Sequence, residues 1–139
     1  YSVFCMHEQY NTASVLKDFT ANNHHLYFSR YEDVFVRESK SYSDTLLQNI
    51  GFVKNEVCGV EIDLDAITNV PSSAKTSSGI SPVQARQYVY QCGKNLSALY
   101  LHIAEGAPIL SHIKADNKTG KLIGYLIADF IKGVGDRSF

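Results

Sequence analysis

The chain has 139 residues, 45% of them hydrophobic and 19% charged, with 13 Lys plus Arg against 14 Asp plus Glu and a net charge of -1. That is enough chain for one domain around one core. The balanced charge gives no reason to expect nucleic acid or an anionic membrane as partner, and no apolar run approaches the roughly 18 residues of a membrane span.

Cys5, Cys58 and Cys92 are odd in number, far apart and set in apolar stretches. Without a Cys-x-x-Cys spacing they read as buried reduced thiols, which points to a cytoplasmic protein. The opening YSVFCMHEQY has neither a basic n-region nor an apolar h-region, so it is not expected to be a signal peptide.

In chain order the pattern alternates strand and helix. Residues 2–6 read as a strand. Residues 12–22 read as a helix, with Ala13, Leu16 and Phe19 at helical spacing and Asn22-Asn23 as a stop. Residues 25–28 form a short strand candidate. Residues 41–50 read as a helix with Leu46, Leu47 and Ile50 on one face, closed by Gly51.

Residues 56–64 give the clearest strand. VCGVEIDLD is nearly continuous in apolar and β-branched residues, as in a central strand covered on both faces. Residues 69–79, rich in Ser, Pro and Gly, read as a loop. A helix then begins, with Ser81 as N-cap, Pro82 at the first helical position and Gln84 completing a capping box. It is expected to run to about Cys92 and stop at Gly93.

Residues 98–104, ALYLHIA, form the next buried strand, and residues 107–120 a loop. The last helix is expected over residues 121–132. There Leu122, Ile123, Leu126, Ile127, Phe130 and Ile131 make a broad apolar stripe, closed by Gly133. The alternation predicts one α/β domain over residues 1–139, with a parallel sheet between helical layers. In such sheets ligands bind beyond the carboxyl ends of the strands.

Two strand ends carry carboxylates. In EIDLDAI, Asp63 and Asp65 are two apart. On a strand that spacing points both to one side, where like charges repel unless a cation or proton lies between them. Hard oxygen ligands suit magnesium, calcium or manganese. The plainer alternative is a pair that caps the following turn.

In LYLHIAEGAP, Glu105 ends a mostly apolar run at the same predicted rim. A carboxylate there is a natural partner for a planar amidine or guanidine cation, through two parallel hydrogen bonds. Taken alone it is also an ordinary loop acid. His102, three residues earlier, falls on the opposite face and reads as a core histidine. His7, His24, His25 and His112 show no ligand spacing, and Lys75 reads as an exposed lysine near the site.

GVEIDLDAI resembles the strand motif of the ureohydrolase (arginase, agmatinase and formimidoylglutamase) family. VPSSAKTSSGIS, SPVQARQYV and ALYLHIAEGAP resemble the loop, helix and strand that follow it there, in the same order. The likeness covers about residues 55–132, and its loop spacing lies nearest the formimidoylglutamase-like branch.

It implies an arginase-like three-layer α/β/α fold with a mainly parallel sheet, of which this chain is the C-terminal portion, a partial domain. It also implies a hydrolase with two manganese ions acting on a small cationic amidine or guanidine. Asp63 and Asp65 would hold metal and Glu105 would hold substrate. A homo-oligomer is expected.

The departures are Thr68 and Asn69 after the pair and Ser72 and Ala74 in the loop. The family's Asp-x-His-x-Asp motif and its further metal-binding histidine are absent from the chain. The resemblance places them upstream, so the chain alone is expected to be inactive. A non-catalytic arginase-fold subunit is the alternative. An Asp-x-Asp strand end also suggests a haloacid-dehalogenase-like phosphatase, but the Gly-Thr that usually follows there is lacking.

Overall fold

The structure is a computed structural model and describes residues 1–10, 12–22, 25–107, 109 and 117–137. His24, His112 and most of the expected loop over residues 107–120 lie outside the described residues. Contacts divide the chain into two compact units, Tyr1–Asn55 and Glu56–Phe139.

The first unit runs β1 (Ser2–Met6), a 3-10 turn at Glu8–Tyr10, α1 (Ala13–Asn22), β2 (Tyr27–Arg30), α2 (Tyr31–Phe35) and α3 (Tyr42–Val53). β1 and β2 pair in parallel, Val3 opposite Phe28, with an irregularity between Val3 and Met6. Cys5 sits in that irregularity with φ of 57°, and its N–H donates to Ser29 Oγ at 3.1 Å.

Helix α3 buries Leu46 and Ile50. It is tied to β1 by Asn49, whose Nδ2 donates to Ser2 Oγ at 3.0 Å and to the Val3 carbonyl at 2.9 Å. Ser41 caps it by accepting from the Asp44 N–H. Gly51 does not end it, and the helix continues to Val53. A glycine terminates a helix by adopting positive φ, and no described glycine does so.

The second unit runs β3 (Val57–Asp63), a 3-10 turn at Leu64–Ala66, α4 (Pro82–Asn95), β4 (Ser97–Ala104) and α5 (Lys118–Gly135). β3 and β4 are parallel, from Val57 opposite Ser97 to Asp63 opposite Ala104. The capping box forms as expected. Gln84 N–H donates to Ser81 Oγ at 3.2 Å, and Ser81 N–H to Gln84 Oε1 at 2.8 Å.

Burial along β3 alternates: Val60 and Ile62 are buried, whereas Val57, Glu61 and Asp63 are exposed. On β4, Leu99 and Tyr100 are exposed. Among the described residues, then, the second face expected to be covered is exposed on these two strands. α4 and α5 pack on the strand pair, and the period of two marks one side of β3 as covered among the described residues of this unit. His102 is likewise not a core residue. It is exposed and lies opposite Glu61, with Nδ1 3.9 Å from Glu61 Oε1.

Gly93 and Gly133, expected as helix stops, lie inside α4 and α5 and are buried where the two helices touch. Between those helices Arg86 Nε donates to Asp129 Oδ2 at 2.6 Å, and the Arg86 guanidinium lies over the Tyr125 ring at 4.8 Å. No helix among the described residues is long and apolar enough to cross a membrane.

Candidate functional site

β3 ends at Asp63 and β4 at Ala104, side by side in register. The residues following both ends therefore share the carboxyl rim of the parallel pair. Asp65 is not on the strand but in the 3-10 turn behind it, so the same-side rule for strand residues two apart does not apply. Asp63 caps this turn, its Oδ1 accepting from the Asp65 N–H at 2.8 Å. The capping role given above as the plainer alternative is thus present, and it leaves Asp63 exposed at the rim.

Asp65 is gripped from the other side by the loop after β3. Its Oδ1 accepts from the Ala74 N–H at 2.8 Å and its Oδ2 from the Ser73 hydroxyl at 2.9 Å. Partial burial alone would push the Asp65 carboxyl up. The Ala74 N–H and the Ser73 hydroxyl act the other way and hold it below the usual carboxylate range. Ser72 is buried beside them, and its hydroxyl has no hydrogen-bond partner of ordinary geometry.

Glu105 follows β4 with φ of 63°, a left-handed conformation uncommon for a non-glycine residue. Its Oε2 accepts from Ser73 Oγ at 2.6 Å and its carbonyl from the Ser73 N–H at 3.2 Å. An antiparallel bridge between Ser72 and Gly106 and an Ala107 N–H to Pro71 carbonyl bond at 3.2 Å pin the loop to the chain after β4. Thr119, buried at the start of α5, donates to the same Pro71 carbonyl at 3.2 Å.

The structure thus brings Asp63, Asp65 and Glu105 to one rim, with Asp65 and Glu105 meeting at Ser73. Lys75 is exposed in the same loop. Sequence reasoning missed Ser73 and the Ala74 N–H, because a Ser-rich stretch reads as a connector and a backbone donor has no sequence signature.

Among the described residues no group of three or more His, Cys, Asp or Glu side chains is placed to hold a metal ion. The donors present fit a hard cation in kind, and the hydrogen bonds to Asp65 are what supports a metal-binding carboxylate. In number they do not complete a site.

No protein-family model matches the sequence, and no curated protein does. Solved structures do. The chain is similar to the formiminoglutamase of Trypanosoma cruzi, with TM-score 0.76, 17% identity, and 97% of this chain over 44% of that one. It is similar to the formimidoylglutamase of Bacillus subtilis, with TM-score 0.77, 16% identity, and 97% over 42%. It is also similar to the arginase of Bacillus subtilis, with TM-score 0.70, 15% identity, and 86% over 40%.

The fold is arginase-like. At these identities the likeness speaks to the fold alone, and the chain spans less than half the length of the structures it matches. The Trypanosoma cruzi formiminoglutamase has also been crystallised with Mn2+. The phosphatase alternative is not the fold found.

Proposed function

We propose that these residues form part of a manganese-dependent hydrolase of C–N bonds in linear amidines or guanidines, of the formimidoylglutamase or arginase kind. The observation that carries this reading is the meeting of Asp65 and Glu105 through Ser73, at the carboxyl rim of adjacent parallel strands in an arginase-like fold.

In this reading Asp63 and Asp65 contribute oxygen ligands, and the remaining ligands come from sequence outside these residues. Those carboxylates would help to hold manganese, whose contribution there would be to make a water acidic enough to attack near neutral pH. The chain's own part is placement. The Ala74 N–H and the Ser73 hydroxyl fix the Asp65 carboxylate. The left-handed backbone at Glu105 sets the second carboxylate at the rim, where it orients a planar cationic group by charge-assisted hydrogen bonds. The small cationic substrate, the cytoplasmic setting and a homo-oligomeric state belong to the same proposal.

A non-catalytic arginase-fold subunit is the second reading, favoured by the lack of a three-donor cluster among the described residues. The test uses a polypeptide that includes this chain and spans the full length of the matched formiminoglutamases. It is assayed with manganese for ammonia or formamide release from a linear amidine. Activity is expected, with near-complete loss in Asp63→Asn and Asp65→Asn. Glu105→Gln should lose about ten- to hundredfold in kcat/KM, as suits one charged hydrogen bond of roughly 1.5–3 kcal/mol. Retained activity in Asp65→Asn sinks the metal assignment, and no activity with metal bound favours the non-catalytic reading.

A further inference from the structure

We propose that Ser73 is a positioning residue that couples the Asp65 and Glu105 carboxylates, so that a change of state at one is felt at the other through a single hydroxyl proton. The hydroxyl has one hydrogen to donate, yet two carboxylate oxygens lie within reach, Asp65 Oδ2 at 2.9 Å and Glu105 Oε2 at 2.6 Å. The proton serves one at a time. Whatever withdraws Asp65 Oδ2 from the hydroxyl releases the donor wholly to Glu105.

The rest of Ser73 is held so that the choice falls on the side-chain torsion alone. Its N–H is bonded to the Glu105 carbonyl, and the next residue's N–H is bonded to Asp65 Oδ1. The two flanking carboxylates are themselves tethered. Asp65 lies in the 3-10 turn capped by Asp63, and Glu105 lies in the left-handed step after β4. A hydroxyl that merely tied the loop down would need one acceptor, and the Ser72–Gly106 bridge already supplies the tie.

Under the hydrolase reading, the Ser73 hydroxyl would hold the Glu105 carboxylate in place for the substrate whenever Asp65 Oδ2 is otherwise engaged. This extension rests on that reading, whereas the coupling itself does not.

The experiment follows the side-chain carboxyl carbon resonances of Asp65 and Glu105 by NMR in the 139-residue chain, without metal. Asp65→Asn is expected to move the Glu105 resonance. Most of that movement should be lost in a Ser73→Ala background and regained with Ser73→Thr, which keeps a hydroxyl. The reciprocal cycle, Glu105→Gln read at Asp65, should behave alike.

A role confined to loop stability predicts no dependence on the hydroxyl. Equal movement with and without Ser73, no movement in either, or failure of Ser73→Thr to restore it overturns the proposal. Should Ser73→Ala fail to fold, Ser73→Cys, a weak donor, takes its place with the same expected loss. Because this cycle needs no metal, its failure leaves the hydrolase reading standing, and a failed hydrolase assay leaves the coupling standing.

Discussion

A β-carbon on Gly133 would collide with the backbone carbonyl of Tyr90, and one on Gly93 would meet the Phe130 carbonyl in the same way. The two glycines are the points at which α4 and α5 touch backbone to backbone. Gly133→Ala forces the helices apart, because the obstructing atom is main chain and cannot swing away. The expected cost is about 1–3 kcal/mol, seen as a lower midpoint in urea with an unchanged slope. Gly124, on the same helix, has nothing within 4 Å of its would-be β-carbon. Gly124→Ala should therefore stabilise, by about 1 kcal/mol or less from helix propensity alone. Opposite signs at two glycines of one helix check the packing, and equal signs would refute it.

Those glycines also show how far the sequence could be read. The strand and helix cores were legible because apolar spacing and the Ser81–Gln84 capping box act locally. Gly51, Gly93 and Gly133 look like stops in the sequence because an exit glycine and a contact glycine are alike until the neighbouring helix is in place. The exposed face of β3 and β4 escaped for a related reason, since a continuous apolar run does not say what covers it. At the site, Asp63, Asp65 and Glu105 were readable as acids ending apolar runs. Asp65's place in a turn, and the Ser73 hydroxyl joining it to Glu105, depend on how a Ser-rich loop folds back.

Ser81→Ala removes the acceptor for the Gln84 N–H and leaves a helix-start donor unpaired. The expected loss is about 1 kcal/mol. Ser81→Asn or Ser81→Asp should recover most of it, since both side chains cap as well as serine. Thermal unfolding of the three variants checks this, and an alanine variant as stable as the parent would show that the cap is idle.

Glu32 gives an acid-limb prediction. Burial pushes its carboxyl up. Its own N–H, the Glu8 N–H and His7 outweigh this and leave it below the ordinary value of 4.5. The unfolded chain therefore binds the proton at higher pH than the folded chain. Stability from Glu32 is full above pH 4.5 and is lost as pH falls through the lowered folded value. Glu32→Gln should flatten that part of the stability–pH curve while lowering stability near neutrality, because the Glu8 N–H and His7 lose a charged acceptor. An unchanged acid limb in the variant would show that Glu32 carries none of it.

The 139-residue chain by itself should bind manganese only weakly. Affinity for a hard cation follows the number of charged oxygen ligands and the rigidity with which they are held. Here Asp65 is rigid, but both of its oxygens already accept hydrogen bonds. One oxygen of Asp63 is committed to the turn, and no third donor among the described residues joins them in a metal-holding group. With few ligands the carboxylates keep their mutual repulsion without a bound charge to offset it. Isothermal titration should therefore give a dissociation constant of about 1 mM or weaker, the loose end of the range for carboxylate-rich sites, and no hydrolysis of a linear amidine. Asp65→Asn should abolish even that weak heat. Tight binding of two ions per chain, with ammonia or formamide released, would mean that the site is complete within these residues and that histidines among His7, His24, His25, His102 and His112 serve as ligands.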